Sequence, residues 1–455
     1  MKKKEFGARD VHSTRQAGKT SRAARIFAEE QKYISPGFQG IALYAGIAMA
    51  RGRNEIVSDE DVKQYIDFVS GIGVGSIGHC HPHYIEALKK QLEELTFGSF
   101  ATEVRMKFLR LLASLLPPPL SRIQLFSGGA EAVEAAFRLA KSVTKKFEFV
   151  GFWGGFHGKT GGVLGLLGDE FKKDYGPFMP GLYLSPFAYC YRCPLKLRYP
   201  SCGIACAEHL RQVIKLQSQQ QIAAIIVEPI QGTAGNVVPP AEFLPAVQSI
   251  AKEFGALLIS DEMQTAFGRA GAMWGFEHDQ LAPDVLTVGK GIGGGFPLSG
   301  VISTDEHCQA QPYSLPSGSS SSYGGNPLAA AAGLATLEII LDEQLAENSG
   351  KIGKALLERF QAFVERFEFV GDARGRGLML GVELVKNKKT KERVDKSVCR
   401  RIFERCMDRG LLSMTYTNPI RIIPPLTISE ASALQAADIL EEVFAEVQQD
   451  GTYRM

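Results

Sequence analysis

The stretch from Leu257 to Gly300, LLISDEMQTAFGRAGAMWGFEHDQLAPDVLTVGKGIGGGFPLSG, contains two short apolar segments that each lead into a charged residue. The first segment, 256–259, leads to Asp261, and the second, 285–288, leads to Lys290 and a glycine-rich loop. Short apolar runs bounded by polar residues and glycine are typical of buried strands. Because the carboxyl ends of parallel strands meet at one edge of an open α/β sheet, we expect a carboxylate and an amine to lie at neighbouring strand ends.

This pair of strand ends is open to three interpretations. Charged residues at strand ends are usually solvated, and the pair alone does not exclude that. The glycines Gly289, Gly291 and Gly294 formally match the G-x-G-x-x-G pattern of dinucleotide sites, but that loop must open a helix, and Pro297 would interrupt one. The pair is also what pyridoxal phosphate requires, because this cofactor needs a lysine to form a Schiff base and an acid to keep its pyridine nitrogen protonated.

A phosphate site is predicted upstream of this stretch. The short strand at 123–126 is followed by Ser127, Gly128, Gly129 and Ala130, and then by a segment rich in helix-forming residues. A strand, a glycine turn and a helix start leave backbone N–H groups pointing at the turn, where the helix dipole favours an anion. Glycine also lets the backbone approach a ligand closely. An ordinary capped helix would give the same pattern.

Two further predicted strand ends carry groups that suit a flat, charged ligand. The strand at 147–151 leads to Phe156 and His157, and an aromatic ring at this point either covers the face of a heterocycle or belongs to the core. The GKT triplet that follows lacks the first glycine of a P-loop, so that motif is absent. The strand at 222–227 ends at Glu228. We therefore expect these strand ends to converge on one ligand site.

The order of the predicted elements indicates the fold class and the domains. Strands alternate with helices between about residues 120 and 300, which predicts an α/β fold with a mostly parallel sheet covered by helices. We expect a large domain at 68–330, an N-terminal arm with part of a small domain at 1–67, and a small α+β domain at 331–455. The alternating apolar residues of 41–49 predict a short β-ribbon.

Composition excludes several classes of function. The 455 residues include 51 Lys and Arg against 49 Asp and Glu, so a net charge of +2 gives no reason to expect nucleic acid or an acidic membrane as a partner. No apolar run approaches the roughly 20 residues that span a bilayer. The basic N-terminus lacks the apolar centre of a secretory signal. We therefore expect a cytoplasmic enzyme.

Four of the eight cysteines form a cluster, Cys190, Cys193, Cys202 and Cys206, with the spacing C-x2-C-x8-C-x3-C. Without a secretion signal such a cluster favours free thiols or zinc over disulfides. The spacing between the two pairs is shorter than in the usual zinc patterns, so we expect reduced thiols in a surface loop and no metal.

Taken together, these segments resemble the class III, or omega, aminotransferases, which have fold type I and use pyridoxal 5′-phosphate. The resemblance extends from about residue 35 to the C-terminus. It is specific because many motifs occur in the same order. They are SGGAEAVEAAFRLAK, FHGKTGG, VEPIQGTAGNVVPP, DEMQTAFGRAGAMWGFE, PDVLTVGKGIGGGFPLSGVI, YGGNPLAAAAG, ARGRGLMLGVEL and IRIIPPLTI. The fold implied by the resemblance has a large domain with a mostly parallel sheet and a smaller α+β domain formed by the two chain ends.

The resemblance also implies roles for individual residues. Lys290 corresponds to the Schiff-base lysine and Asp261 to the partner of the pyridine nitrogen. Ser322 stands where the family usually has a threonine that reaches the phosphate in the neighbouring subunit, which implies a homodimer or a dimer of dimers with shared sites. Arg421 matches the arginine that receives a substrate carboxylate. The other implied cofactor contacts are Gly128, Gly129, Ala130, Phe156 on the ring face, His157, Glu228 and Gln264.

The expected reaction is the ping-pong transfer of an amino group from an amino acid or amine, such as an omega-amino acid like 4-aminobutyrate, to a keto acid such as 2-oxoglutarate or pyruvate. A racemase, aminomutase or decarboxylase on the same scaffold is the alternative. Two departures from the family pattern bear on this expectation. Gly128 replaces a serine, and Thr233 stands where the ornithine and 4-aminobutyrate subfamilies carry a glutamate.

Overall fold

Two helices and a three-stranded meander open the part of the chain that the computed structural model describes, which is residues 21–37, 39–168 and 170–455. They are α1 (Arg22–Glu30), α2 (Gly40–Ala45), β1 (Met49–Arg53), β2 (Ile56–Asp59) and β3 (Gln64–Asp67). The prediction of a ribbon over 41–49 is wrong, because most of that segment is α2, which Gly46 ends in the left-handed conformation with φ 63°. The strands begin only at its last residue. Much of the basic N-terminus lies outside the described residues.

Three helices lead from the meander to the large sheet: α3 (Ser70–Gly73), α4 (Pro82–Glu94) and α5 (Glu103–Ser114). The last two confirm the helices predicted up to residue 95 and over 102–116. Pro82 occupies the first turn of α4, where its missing N–H costs nothing. The hydroxyl of Thr102 caps α5 by accepting a hydrogen bond from the N–H of Arg105 at 3.3 Å.

A seven-stranded sheet forms the centre of the molecule. Its strands are β4 (Leu120–Phe126), β5 (Glu148–Phe152), β6 (Leu182–Ser185), β7 (Ile222–Val227), β8 (Leu257–Asp261), β9 (Val285–Val288) and β10 (Ser299–Thr304). The helices between them are α6 (Gly129–Thr144), α7 (Gly161–Leu164), α8 (Ala205–Gln217) and α9 (Phe243–Glu253), and α10 (Asp305–Cys308) follows β10. The sheet confirms the predicted α/β class.

The strand order β4-β10-β9-β8-β7-β5-β6 places the predicted strand ends side by side. Neighbours from β9 through β8, β7 and β5 to β6 pair in parallel, whereas β10 runs antiparallel to both β9 and β4. Every residue of β7 is buried, as expected for a central parallel strand covered on both faces. Asp261 lies opposite Thr287 in the register of β8 and β9, so the carboxylate and the start of the lysine loop share one edge.

The C-terminal part of the chain adds helices and two small sheets. Its elements are α11 (Pro327–Asp342), α12 (Leu345–Arg366), β11 (Val370–Arg376), β12 (Met379–Asn387), β13 (Glu392–Arg393), α13 (Lys396–Asp408), β14 (Leu411–Leu412), β15 (Ile420–Ile422) and α14 (Glu430–Gln449). The strands β11, β12, β13 and β15 form one four-stranded sheet, in which β15 pairs with β12. β14 pairs in parallel with β3, so the two chain ends share the other sheet. The domain boundaries near residues 67 and 330 stay a prediction.

One large cluster of buried apolar side chains runs from the central sheet into the helices of the C-terminal part. A second cluster packs α6 against the other face of the central sheet. Within the described ranges, no helix combines the length and the apolar character needed to cross a membrane.

Candidate active site

Lys290 lies at the end of β9, at the first position of a short 3-10 turn that ends at Gly293. Its φ of 44° falls in the left-handed region, which residues with a side chain seldom adopt. Gly289 is needed before it, because a Cβ there would lie 2.5 Å from the sulfur of Met263. Burial lowers the pKa of the Lys290 ammonium, while the charges of Asp261 and Glu228 oppose that shift. The result is an amine that releases its proton more readily than an exposed lysine.

Asp261 is fixed by three hydrogen bonds in a space closed to water. Its Oδ2 lies 2.6 Å from Nδ1 of His157, and both side chains are only 1% exposed. Its Oδ1 accepts hydrogen bonds from the hydroxyl of Thr287 at 3.0 Å and from the N–H of Met263 at 3.2 Å. Burial by itself would lower the pKa of His157, but the hydrogen bond and the charge of Asp261 outweigh it and raise that pKa. The pair therefore behaves as a buried carboxylate held by an imidazole.

Glu228 connects the aromatic loop to the turn after β7. Its Oε1 accepts a hydrogen bond from the N–H of Phe156 at 2.9 Å, and its Oε2 accepts one from the N–H of Gly232 at 3.1 Å. Burial raises the pKa of Glu228 to about 7, and the charge of Asp261 acts in the same direction. The carboxylate therefore sets the position of the Phe156 backbone.

Gln264 lies beside the same turn and has an unused polar atom. A Cβ on Gly232 would come within 1.9 Å of the Oε1 of Gln264, so a larger residue there would displace the Gln264 amide. Oε1 of Gln264 is buried and has no hydrogen-bond partner in the described part of the chain. A buried polar atom without a partner normally has one in the functional state of a protein, because leaving it unpaired costs free energy.

The N-terminus of α6 has the geometry of an anion site. The first N–H groups of a helix have no acceptor within the helix. Here the carboxylate of Glu131 accepts hydrogen bonds from the N–H groups of Ser127 and Gly128, both at 3.3 Å, so part of the turn is also an ordinary cap. The turn thus fits both interpretations made from the sequence, an anion site and an ordinary helix cap. Ala130 packs closely against Gly158, because a Cβ added to Gly158 would lie 2.4 Å from the Cβ of Ala130.

A cavity of about 400 Å³ brings these groups together. Five elements contribute to its wall: the loop after β3, the start of α6, the loop after β5, the end of β8 and the loop after β9. The residues that line it are Val74, Ser127, Gly129, Ala130, Phe156, His157, Gly158, Met263, Lys290, Gly295, Phe296, Pro297 and Leu298. The structure therefore collects Lys290, Phe156, His157, Gly129 and Ala130 on one cavity, with Asp261 directly behind His157.

The candidate residues Ser322 and Arg421 do not line this cavity. Ser322 is exposed and is not among the residues that line the cavity of its own chain. Arg421 lies on β15 opposite Gly381 of β12 and forms no ion pair with any residue that the structure describes. Burial lowers the pKa of Arg421, and Tyr416 and Glu228 lie close enough to oppose that shift. Arg421 is thus a largely buried cation without a fixed counterion.

Sequence reasoning missed Thr287 and Met263 as parts of the site. Thr287 donates to Asp261 from the neighbouring strand, and Met263 both donates its N–H to Asp261 and lines the cavity. The strand alternation carried the signal for Thr287, because its side chain points to the same face as Asp261 if β8 and β9 are paired in parallel. Met263 had no comparable signal.

The four clustered cysteines line a small apolar pocket, and all of them are free thiols. Burial raises the pKa of both Cys190 and Cys206 to about 11. Among the described residues, no group of three or more His, Cys, Asp or Glu side chains is arranged to hold a metal ion.

Comparisons with known proteins agree on one family. The family model for class-III aminotransferases matches residues 42–444. The chain is 34% identical over 420 residues to a probable 4-aminobutyrate aminotransferase of Bacillus subtilis, covering 90% of this chain and 94% of that protein. It is 33% identical over 412 residues to a leucine/methionine racemase of Thermococcus litoralis, covering 89% and 92%.

Solved structures give the same result. An aminotransferase of Bacillus anthracis superposes with a TM-score of 0.85 at 30% identity, covering 93% of this chain and 98% of that one. A PLP-bound amine transaminase from an uncultivated Pseudomonas species superposes with a TM-score of 0.85 at 31% identity, covering 91% and 98%. The chain therefore belongs to the class III aminotransferases, the pyridoxal-phosphate-dependent family that its motifs resemble.

Proposed function

We propose that the cavity around Lys290 is the catalytic site and that Arg421 selects substrates that carry a carboxylate. The observation that carries this proposal is that the carboxylates of the site are hydrogen-bonded while its two cations are unpaired among the described residues. Neighbouring hydrogen bonds fix the positions of Asp261 and Glu228, whereas the amine of Lys290 and the guanidinium of Arg421 have no ion pair in the described chain.

The residues present fit pyridoxal phosphate. The N-terminus of α6 with Gly129 and Ala130 would hold the phosphate, and Phe156 would cover one face of the ring. Asp261 would hold the ring nitrogen in its protonated form, and the unpaired Oε1 of Gln264 would meet a polar group at the ring edge. His157 and Glu228 would support these contacts through Asp261 and the backbone of Phe156, and Gly128 adds no side-chain donor.

When bound, the cofactor supplies an aldehyde carbon for covalent attachment of amines and a ring that withdraws electrons from the substrate carbon. The protein supplies the proton transfers. With the cofactor bound, the Nζ of Lys290 would hold and move the proton of the substrate carbon, for which its lowered pKa is suited. Three hydrogen-bond donors hold the Asp261 carboxylate in place.

Arg421 is suited to bind a carboxylate because its guanidinium can form a bidentate ion pair that offsets desolvation. Glu228 directs its two oxygens at backbone N–H groups, so it leaves Arg421 unpaired. Thr233 offers no carboxylate that could neutralise it. We therefore propose a keto acid acceptor such as 2-oxoglutarate or pyruvate. The similarity to a 4-aminobutyrate aminotransferase supports an omega-amino acid as donor.

A second candidate, amino acid racemisation on the same scaffold, is favoured by one finding. Two similar relatives are racemases, one for leucine and methionine, and one for alanine and serine at 32% identity. The two reactions differ in stoichiometry. Transamination consumes a keto acid for each donor, whereas racemisation inverts an amino acid without consuming one.

We also propose that the enzyme is cytoplasmic and works as a homodimer or a dimer of dimers. Ser322 is exposed in this chain, and so are the rings of Phe97, Phe100 and Tyr323, which are 77%, 83% and 74% exposed. Apolar rings at this level of exposure are typical of surfaces that a partner covers. A second copy would bury them and bring its Ser322 to the phosphate end of the cavity.

The test is a half-reaction assay with the holoenzyme. The enzyme is mixed with single amines and amino acids, and the absorbance of the bound cofactor is followed without a keto acid. Donors that discharge their amino group change the spectrum and release a carbonyl product, which identifies transamination. Inversion of an L-amino acid without any carbonyl product would favour the racemase instead.

Arg421→Lys tests the substrate part of the proposal. Lysine keeps the charge but not the planar fork, so reaction with carboxylate substrates should weaken by about 1–3 kcal/mol. Amines without a carboxylate should react nearly as in the wild type. Equal losses for both substrate groups would show that Arg421 has a structural role and would refute the proposal.

A further inference from the structure

Arg269 is a buried arginine that the reaction described above does not use. It is 1% exposed and lies on the loop that follows the Asp261 strand. Its Nη1 donates hydrogen bonds to two backbone carbonyls, those of Leu378 at 3.2 Å and of Pro424. Its Nε and Nη2 have no hydrogen-bond partner in the described ranges. A buried charge without a directly bonded counterion is costly, so its presence calls for a reason.

The two carbonyls lie at the same end of the strand pair that carries Arg421. Leu378 is in the turn between β11 and β12, and Pro424 follows β15 by two residues. Because β12 and β15 are antiparallel and their pairing starts at Leu380 and Ile422, both carbonyls flank the end of the pair next to Gly381 and Arg421. One guanidinium thus joins the turn that begins β12 to the segment that leaves β15.

The backbone of Arg269 is anchored on the same side. Its carbonyl accepts hydrogen bonds from the N–H of Leu378 at 3.0 Å and from the hydroxyl of Ser349 at 3.0 Å. Gly377 lies so close that a Cβ there would come within 2.6 Å of the Arg269 carbonyl. The loop that starts at Asp261 is therefore locked to the β11–β12 turn through both the backbone and the side chain of Arg269.

Arg269 is also a strong donor that keeps its proton. Burial lowers its pKa to about 9, and the charge of Asp67 opposes the shift, so the guanidinium remains charged at neutral pH. Hydrogen bonds from a charged donor to carbonyls are stronger than those between neutral groups. Its two hydrogen bonds therefore form a rigid connection between the loop after β8 and the carbonyls of Leu378 and Pro424.

We infer that Arg269 is a positioning residue that fixes Arg421 relative to the cofactor loop, and so sets the distance at which a substrate carboxylate is received. This inference rests on the proposed role of Arg421. It assigns no contact with substrate to Arg269. The role predicts that the loss of Arg269 harms carboxylate recognition more than it harms the reaction of amines without a carboxylate.

Arg376 provides a matched control. It lies on β11 of the same hairpin and binds Asp279 through two hydrogen bonds of 2.8 and 3.1 Å. It therefore also ties the hairpin to the segment after β8, but neither of its bonds reaches Leu378 or Pro424. Arg376→Met removes an arginine that also ties this hairpin to the segment after β8, but it leaves the contacts at the end of the β12–β15 pair in place.

The experiment measures the binding of glutarate, a dicarboxylate without a reactive carbonyl, to the holoenzyme by titration calorimetry. Arg269→Met should weaken binding by about tenfold or more, which corresponds to about 1.4 kcal/mol. Arg376→Met should change it by less than about twofold. The KM for the keto acid should rise in parallel in Arg269→Met, while kcat with an amine that lacks a carboxylate stays close to the wild-type value.

Each outcome separates the inference from the proposed function. If Arg421→Met leaves glutarate binding unchanged, the carboxylate role of Arg421 is wrong, and the inference fails with it. If Arg421→Met weakens binding but Arg269→Met does not, or weakens it no more than Arg376→Met does, Arg269 is only structural. Should Arg269→Met fail to fold, glutarate binding is measured with Arg269→Lys and compared with Arg376→Met in the same way. Lysine keeps the charge but cannot reproduce the geometry of the guanidinium.

Discussion

Asp261 accepts three hydrogen bonds in a site closed to water, so its side chain has one fixed position. Asp261→Asn keeps the size of the side chain but removes the charge that would hold the ring nitrogen protonated. We expect turnover to fall by about 100-fold or more, as for the loss of a preorganised electrostatic contact. Covalent loading of Lys290 with cofactor should persist, which absorbance would show. Turnover close to the wild-type rate would contradict the assignment.

Lys290→Ala should abolish turnover, because no other described amine shares the wall of the cavity with Phe156 and His157. After borohydride treatment of the holoenzyme, mass spectrometry should find the cofactor on the peptide that contains residue 290, and on no peptide of the variant. Lys159 is the control, since its Nζ lies 5.9 Å from the centre of the Phe156 ring, just outside the cavity. Label that disappears in Lys159→Ala and persists in Lys290→Ala would overturn the assignment.

At the scale of elements, the loop after β8 is built around the buried carboxylate of Glu262. This carboxylate accepts hydrogen bonds from the N–H groups of Gly275 and Phe276 at 2.8 and 2.9 Å, and from the hydroxyl of Thr265 at 2.5 Å. A Cβ on Gly275 would lie 2.5 Å from the Cβ of Thr265, so the chain returns to β8 only because residue 275 is glycine. The loop that carries Gln264 and Arg269 thus depends on Glu262.

The pH dependence of stability should report on Glu262. Burial raises its pKa from 4.5 to about 7, so the folded state binds the proton more tightly than the unfolded state does. The stabilisation is therefore complete below about pH 4.5 and is lost as the pH rises to 7, a change of about 3 kcal/mol. Glu262→Gln removes this dependence but leaves N–H donors unpaired. Urea unfolding of the apoenzyme should show the variant well below the wild type at pH 5 and closer to it at pH 8. A difference that does not change with pH would contradict the raised pKa.

The sequence predicted best those elements whose pattern of apolar residues fits only one type of secondary structure. The segment IAAIIV can only be a strand covered on both faces, and it is β7. The same logic located β8 and β9, and with them Asp261 and Lys290. Residues 41–45 failed because their apolar alternation also fits a helix of six residues, and the left-handed Gly46 that decides the outcome leaves little trace in the pattern.

Pairing directions and distant contacts were harder to predict. Nothing in the residues 299–304 shows that β10 runs antiparallel between β4 and β9, because strand direction is set by the connection and not by the side chains. The contacts of Arg269 with Leu378 and Pro424 join residues more than 100 positions apart. Such pairs cannot be read from the spacing in one sequence, whereas Glu228, Asp261 and Lys290 could be singled out because each one stands at or just after the end of a predicted strand.

At the scale of the whole molecule, the proposed second copy would cover two segments that carry exposed side chains. Phe97 and Phe100 lie between α4 and α5, and Ser322 and Tyr323 lie on the segment before α11. The contacts among α4, α5 and α11 place these two segments on helices that pack together. A symmetric dimer through this face would let each copy supply Ser322 to the other copy's cavity.

A mixing experiment decides whether Ser322 acts in its own chain or in the partner's site. Ser322→Glu should be inactive, because its charge opposes a phosphate, while Ser320→Glu on the same exposed segment is the control and should remain active. If Ser322 acts across the interface, an equal mixture of Lys290→Ala and Ser322→Glu subunits contains hybrid dimers with one intact site. Random exchange then predicts recovery of about a quarter of the wild-type activity. If Ser322 serves its own chain, every hybrid site lacks either Lys290 or Ser322. No recovery after exchange has been verified by mass spectrometry would therefore rule out the shared site.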